Sequence, residues 1–100
     1  MKQFDDFENL PMTAEKVICY FNTLRVKVGS TGLCGGDTGH GGRTCFMLEN
    51  LSSTDMTVKV GDASFDNGKV QICLGGDSEL RTFIDALQFT ANSLKAMMKE

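Results

Sequence analysis

The sequence GSTGLCGGDTGHGGRT, residues 29–44, lies between two apolar-rich segments and carries 7 of the 11 glycines in the chain. An ordered glycine loses more backbone entropy than any other residue, so folds keep glycines where the backbone needs positive φ or a close approach. A loop of this length inside a compact domain is uncommon and is usually either functional or disordered, and the charged residues within it favour function. The same stretch holds the only histidine, His40, together with Asp37 and Arg43. These features predict a ligand-binding loop supported by the segments on either side.

The segments upstream of this loop favour β-structure. Residues 17–21 (VICYF) are rich in β-forming side chains, which indicates a strand, with a short helix as the alternative. In the next segment Leu24, Val26 and Val28 alternate with polar side chains. That period of two is typical of a half-buried strand.

Three further segments downstream of the loop are predicted strands: residues 44–49, 56–60 and 70–74. A polar turn over 50–55 separates the first two. The pair Asn67-Gly68, before the third, suits a type I′ hairpin turn, in which both central residues need positive φ. The sequence therefore predicts an antiparallel meander sheet of four to five strands.

Residues 78–99 show the clearest periodicity in the chain, that of an amphipathic helix of about five turns. Ser78 or Asp77 is the predicted N-cap. A single helix against one face of an antiparallel sheet gives an α+β fold. The apolar stripe expected to face the sheet consists of Leu80, Phe83, Ile84, Leu87, Ala91, Leu94 and Met98.

A second stripe on the same helix predicts a contact between subunits, and hence a homo-oligomer. It combines two large apolar side chains with small ones. Its members are Ala86, Phe89, Ser93 and Met97.

Length and charge exclude several classes of protein. The 100 residues form one domain, with residues 1–12 as an N-terminal arm ending near Pro11. A net charge of −3 argues against binding a nucleic acid polymer, because that affinity depends on clustered Lys and Arg. There is no apolar run long enough to span a membrane, and the acidic start is unlike a signal peptide. We expect a cytoplasmic protein with four reduced cysteines.

The chemistry of the loop favours a phosphorylated nucleotide-type ligand. Backbone N–H groups in glycine-rich turns form concave anion sites, and the planar guanidinium of Arg43 suits phosphate. His40, between two glycines, is expected to donate a hydrogen bond, and Asp37 to accept one from a ribose or base. The predicted ligand-binding residues are Gly35, Gly36, Asp37, Thr38, Gly39, His40, Gly41, Gly42, Arg43 and Thr44.

Other chemistries are less well supported by the sequence. Cys34, Asp37, His40 and Cys45 are adequate zinc ligands, but the paired ligands of structural zinc sites are missing, so we expect neither a metal nor another cofactor. Because no third group orients Cys34 and His40, catalysis is not the preferred interpretation. A second Gly-Gly-Asp, at residues 75–77, precedes the helix and would share one pocket with the loop if the sheet brings them together.

The run from Cys34 to Thr44, CGGDTGHGGRT leading into a strand, resembles segments of small bacteriophage-encoded proteins. Size and layout are similar to those of the phage "sponge" proteins, which sequester the cyclic or ADP-ribose-type nucleotide signals of bacterial antiviral systems such as Thoeris and CBASS. This resemblance implies capture of a nucleotide signal without turnover, often by a homo-oligomer. The alternatives are a protein–protein inhibitor or adaptor that uses the loop, and a small phosphodiesterase that uses His40.

Overall fold

A computed structural model describes residues 7, 10–52, 54–66 and 68–98 of the chain. Within these residues, six strands precede a single helix. Their order and bounds are β1 Met12–Cys19, β2 Thr23–Ser30, β3 Arg43–Ser52, β4 Thr57–Val60, β5 Ala63–Asp66, β6 Lys69–Gly75 and α1 Asp77–Met97.

The main sheet is antiparallel and has the strand order β1-β2-β3-β6, and β4 and β5 form a separate two-stranded sheet. Together with the long C-terminal helix, this confirms the predicted α+β fold. The strand interpretation of residues 17–21 is correct for residues 17–19, because Met12–Cys19 pairs along its whole length with β2. Residues 20 and 21 lie in the turn between β1 and β2.

Two predicted turns lie elsewhere in the structure. The polar turn expected at residue 50 begins later, because β3 continues to Ser52. A hairpin at Asn67-Gly68 is wrong: β5, before it, pairs with β4, and β6, after it, pairs with β3. Asn67 itself lies outside the described residues. A tight turn does join β4 to β5 at Gly61, where φ is 61°. Apolar residues of β6 match those of β3 in register, and this long-range pairing decides where β6 lies.

One face of the main sheet carries the helix. The register places Val28, Phe46 and Ile72 side by side on β2, β3 and β6. The ring of Phe83 on α1 meets that of Phe46 edge to face, with the centroids 5.6 Å apart. The first turns of α1 therefore lie on the middle and the β6 side of the sheet.

The opposite face of the sheet holds most of what is buried. Cys45 and Met47 of β3 are on this face, and Leu10 packs near Gly29 from the N-terminal arm. Lys27 Nζ lies 4.8 Å from the centre of the Phe7 ring. Most of the predicted arm, residues 1–6, 8 and 9, lies outside the described residues.

Helix α1 begins one residue before its predicted start, and its predicted last residue, Lys99, lies outside the described part. None of the described residues of α1 is buried. Leu87 and Leu94, on the stripe expected to face the sheet, are 40% and 59% exposed, and Phe89 on the other stripe is 72% exposed. Within the described part of the chain, no helix combines the length and the apolar character that crossing a membrane requires.

Candidate functional site: a glycine loop seated on the start of the helix

Strand pairing brings the two Gly-Gly-Asp segments together. The β3–β6 register sets Arg43 opposite Gly75. The chain between β2 and β3, residues 31–42 (the glycine loop below), therefore lies over the first turn of α1. The outer residues of the stretch predicted as a loop belong to strands, since β2 extends to Ser30 and β3 begins at Arg43.

Backbone hydrogen bonds join the glycine loop to the segment that precedes the helix. Gly39 N donates to Gly75 O at 2.8 Å, and Gly76 N donates to Gly42 O at 2.8 Å. Asp77 N, at the first position of the helix, donates to Gly36 O at 2.8 Å. Main-chain contacts thus hold the middle of the loop and the end that leads into β3.

The carboxylate of Asp77 fills the concave side of the loop. Its Oδ1 accepts from Cys34 N at 3.0 Å and from Gly42 N at 3.1 Å, and its Oδ2 accepts from Gly35 N at 2.6 Å. These backbone donors, first that of Cys34 and then that of Gly35, lower the pKa of Asp77 below its ordinary value of 3.8. The amide nest that the sequence predicted is present, and it binds a carboxylate of the chain itself.

Asp37 makes the reverse connection, from the loop to the helix. Its Oδ1 accepts from Ser78 N at 2.7 Å, which satisfies one of the N–H groups that a helix start leaves unpaired. The N-cap position is Gly76, which has no side chain for the purpose, so the prediction that Ser78 or Asp77 caps the helix is wrong. Glu79 Oε1 adds a third connection by accepting from Thr38 N at 3.2 Å.

Close backbone approach explains two of the glycines. A Cβ atom at Gly42 would lie 2.3 Å from Gly32 O, and one at Gly41 would lie 2.5 Å from Gly36 O. Gly41 also has φ of 82°. The loop folds back on itself more tightly than a side chain at either position permits.

Arg43 is engaged with the loop rather than extended away from it. Its Nη1 donates to Gly41 O at 3.4 Å and to Gly42 O at 3.2 Å, and its Nη2 donates to Gly39 O at 3.1 Å. Thr44, the last predicted ligand residue, is buried in β3 and shares a 3.0 Å hydrogen bond with the hydroxyl of Ser30. Thr44 therefore lies apart from the exposed part of the loop.

The tip of the loop, residues 38–40, is exposed to solvent, as are residues 33–35 and 37. Thr38 has φ of 54°, the one described non-glycine residue with positive φ. Such conformations cost free energy and are found where the surrounding structure or a ligand requires them. The side chain of His40 is exposed and makes no hydrogen bond with any described residue. The side chains of the tip are therefore accessible to solvent, while hydrogen bonds to residues 75–79 hold the loop in place.

Among the described residues, the geometry offers little support for a metal site or a catalytic site. Within the described part of the chain, His, Cys, Asp and Glu side chains form no group of three or more that could hold a metal ion. The hydrogen bonds of Cys34 Sγ go to Thr31 Oγ1 at 3.5 Å and Gly32 O at 3.8 Å, not to His40. The arrangement therefore lacks a thiol paired with an imidazole base.

Sequence reasoning missed that Asp77, Ser78 and Glu79 take part in the loop structure. The repeat of Gly-Gly-Asp at 35–37 and 75–77 was the available signal, and it indicated proximity without indicating that the two segments bind each other. Protein-family models, curated proteins and solved structures contain no match to this chain.

Proposed function

We propose that this chain binds and sequesters a phosphorylated nucleotide-type small molecule without turnover, and that the exposed tip of the glycine loop is the contact surface. The proposal rests on one observation: the loop is fixed in place, because three of its backbone amides donate to the carboxylate of Asp77. A loop already fixed in one conformation loses little entropy when a ligand binds, which favours affinity. A rigid loop therefore increases the affinity of a binding protein for its ligand.

The tip supplies groups suited to such a ligand. His40 is free to donate a hydrogen bond to a base or stack on it, and the hydroxyl of Thr38 is exposed beside it. The guanidinium of Arg43 is anchored on Gly39 O at 3.1 Å and brings its positive charge to the tip. We assign Arg43 to the phosphate and His40 to the base or ribose.

Asp37 takes a different part in this proposal from the one that the sequence suggested. Because Oδ1 of its carboxylate accepts from Ser78 N, we assign Asp37 to holding the loop rather than to the ribose. Asp37, Asp77 and Glu79 also place three carboxylates where the loop meets the helix. The positive charges there are those of Arg43 in the loop and Arg81, which acts on Asp77. This balance favours a ligand whose phosphates carry one charge each, such as a cyclic nucleotide or an ADP-ribose derivative, over a nucleoside triphosphate.

We also propose that these groups capture the ligand without turnover. General base catalysis needs a residue that orients the imidazole, and among the described residues His40 has no such partner. We place the protein in the cytoplasm, where its four cysteines remain thiols.

Isothermal titration calorimetry with a cyclic dinucleotide, ADP-ribose and ATP tests the proposal. We expect the protein to bind either the cyclic dinucleotide or ADP-ribose, and His40→Ala to weaken that binding about tenfold because one hydrogen bond is lost. The melting temperature of the free protein should not change. Arg43→Lys should weaken binding similarly, since an ammonium cannot reproduce the planar fork. Lys59→Ala, on the β4–β5 hairpin, is the control that removes a positive charge far from the loop.

Chromatography of the recovered nucleotide separates capture from hydrolysis. Intact ligand after prolonged incubation supports sequestration, and wild-type turnover that disappears in His40→Ala supports a phosphodiesterase instead. If none of the three nucleotides binds while immobilised protein retains a defined protein partner through the loop, the adaptor alternative replaces this proposal.

A further inference from the structure

Helix α1 leaves an open cleft on the side of the sheet formed by β1 and β2. The cleft has a volume of about 380 Å³ and is almost wholly apolar. Its walls are the first half of the helix and the facing strand residues. The main apolar side chains that line it are Met12, Ala14, Val28, Leu80, Ile84 and Leu87.

The second half of α1 is equally uncovered. Leu94 and Met98 continue the stripe of Leu80 and Leu87, yet they are 59% and 71% exposed. Residues 86–98 (ALQFTANSLKAMM) contain one charged side chain, Lys95. A helix whose far side faces water normally carries charges there, and one with so few is typically buried on most of its surface. The low charge and the exposed apolar stripe of this segment favour its being partly covered in an assembly.

The exposed area of the chain points in the same direction. It exposes 7246 Å², whereas a compact monomer of this mass exposes about 5,600 Å². The difference is about 1,600 Å², compared with about 800 Å² per partner in a standard interface and more in obligate homodimers. The large apolar side chains that are buried in the described residues are only Leu10, Cys45 and Met47. The surface that one copy leaves exposed is thus enough for an obligate dimer.

We propose that two copies associate about a two-fold axis, with the second half of α1 of each copy packed in the cleft of the other. One chain offers both an apolar cleft and an apolar helix of matching chemistry, and the proposed two-fold axis makes the contact reciprocal and closes the assembly at two subunits. Leu94 and Met98, which lie beyond the chain's own cleft, are the side chains that enter the partner's cleft. The two sheets are then each covered by the start of their own helix and by the end of the partner's.

Sedimentation velocity over a range of protein concentrations tests this proposal. We expect a wild-type dimer at micromolar concentration and a monomer for both Leu94→Glu, in the helix, and Ile84→Glu, in the cleft. Both side chains are about half exposed in a single copy, so both variants should keep the circular dichroism of the wild type. Asn92→Glu, which adds the same charge at an exposed polar position of the same helix, should remain dimeric.

Three results would overturn the proposal. The first is a wild-type protein that sediments as a monomer up to 100-fold above the micromolar range. A second is dissociation by Phe89→Glu while Leu94→Glu stays dimeric, which would place the interface on the opposite stripe, with Phe89 and Met97 between subunits. Folded Leu94→Glu and Ile84→Glu variants that both remain dimeric are the third. None of these outcomes depends on whether the loop binds a nucleotide.

Discussion

Asp37 and Asp77 hold the glycine loop and the helix together by exchanging hydrogen bonds across the two segments. Asp37, in the loop, accepts from the backbone N–H of Ser78 in the first turn of α1. Asp77, in that same turn, accepts from three loop amides, including that of Gly42. A carboxylate at a helix start also interacts favourably with the helix dipole, so both groups stabilise the helix as well as the loop.

The first prediction concerns the charge of Asp77. Its pKa is lower in the folded protein than in the unfolded chain, so its contribution to stability is present above about pH 4 and is lost as the pH falls through the lowered pKa. Asp77→Asn should produce the low-pH state of the loop at neutral pH, because an amide cannot accept three amide hydrogen bonds as a carboxylate does.

Hydrogen exchange measured by NMR checks this prediction. The amides of Cys34, Gly35 and Gly42 should lose protection in Asp77→Asn at pH 7 and in the wild type near pH 3, while amides of β3 stay protected. Asp62→Asn, on the β4–β5 turn, is the matched control. Unchanged protection of the three loop amides in Asp77→Asn would show that the carboxylate does not hold the loop.

A second prediction compares two glycines of the loop. Gly42→Ala places a methyl group 2.3 Å from Gly32 O, a backbone atom that cannot move alone, so we expect a cost of about 1–3 kcal/mol and displacement of the loop. Gly35→Ala meets no atom within 4 Å but has φ of 83°, so it costs about 1–2 kcal/mol in conformational strain and leaves the contacts of the loop in place. The NMR chemical shifts of the backbone amides of Cys34 and Ser78 distinguish the two variants. Similar shift changes in both variants would contradict the steric account.

Leu87 gives a third prediction, on the packing of the helix. Leu→Ala at a fully buried site costs about 2–5 kcal/mol. Because Leu87 is 40% exposed in a single copy, we expect about 2 kcal/mol at concentrations where the protein is monomeric. Urea denaturation of Leu87→Ala, with Asn92→Ala as the exposed control on the same helix, measures the difference. An unchanged midpoint would mean that Leu87 lies on the wrong face to pack on the sheet.

The fourth prediction concerns Cys45 and Cys73, which are opposite each other on β3 and β6 with their sulfur atoms 2.8 Å apart. Directly opposed residues of an antiparallel pair have the Cα separation that a disulfide requires. Diamide should therefore oxidise this pair: the two thiols form one S–S bond, and their two hydrogen atoms pass to the diamide, which is reduced to the hydrazine.

Intact mass and peptide mapping give the measurement for this pair. The oxidised protein should lose two hydrogen atoms in mass and should contain a Cys45–Cys73 peptide, whereas Cys73→Ser should abolish that peptide. A map in which the exposed thiols Cys19 and Cys34 are linked instead, with Cys45 and Cys73 unreacted, would contradict the geometry.

The α+β fold could be predicted from the sequence because its signals are local and periodic. Leu24, Val26 and Val28 alternate along β2, and the apolar residues of the helix repeat at helical spacing. The glycines also predicted a loop within residues 29–44, and the structure has one between β2 and β3. These features depend on neighbouring residues along the chain, and the sequence contains them in full.

What the loop does with its polar groups was decided by the tertiary structure. The sequence contains amide donors, an Asp and an Arg within one loop, and the same chemistry suits an external phosphate or an internal partner. Only the pairing of β3 with β6 brings Asp77 under the loop, where its carboxylate accepts the amides, while the carbonyls of Gly39, Gly41 and Gly42 bind Arg43. Hydrogen bonds between residues far apart in the chain depend on that pairing, and no local pattern specifies it.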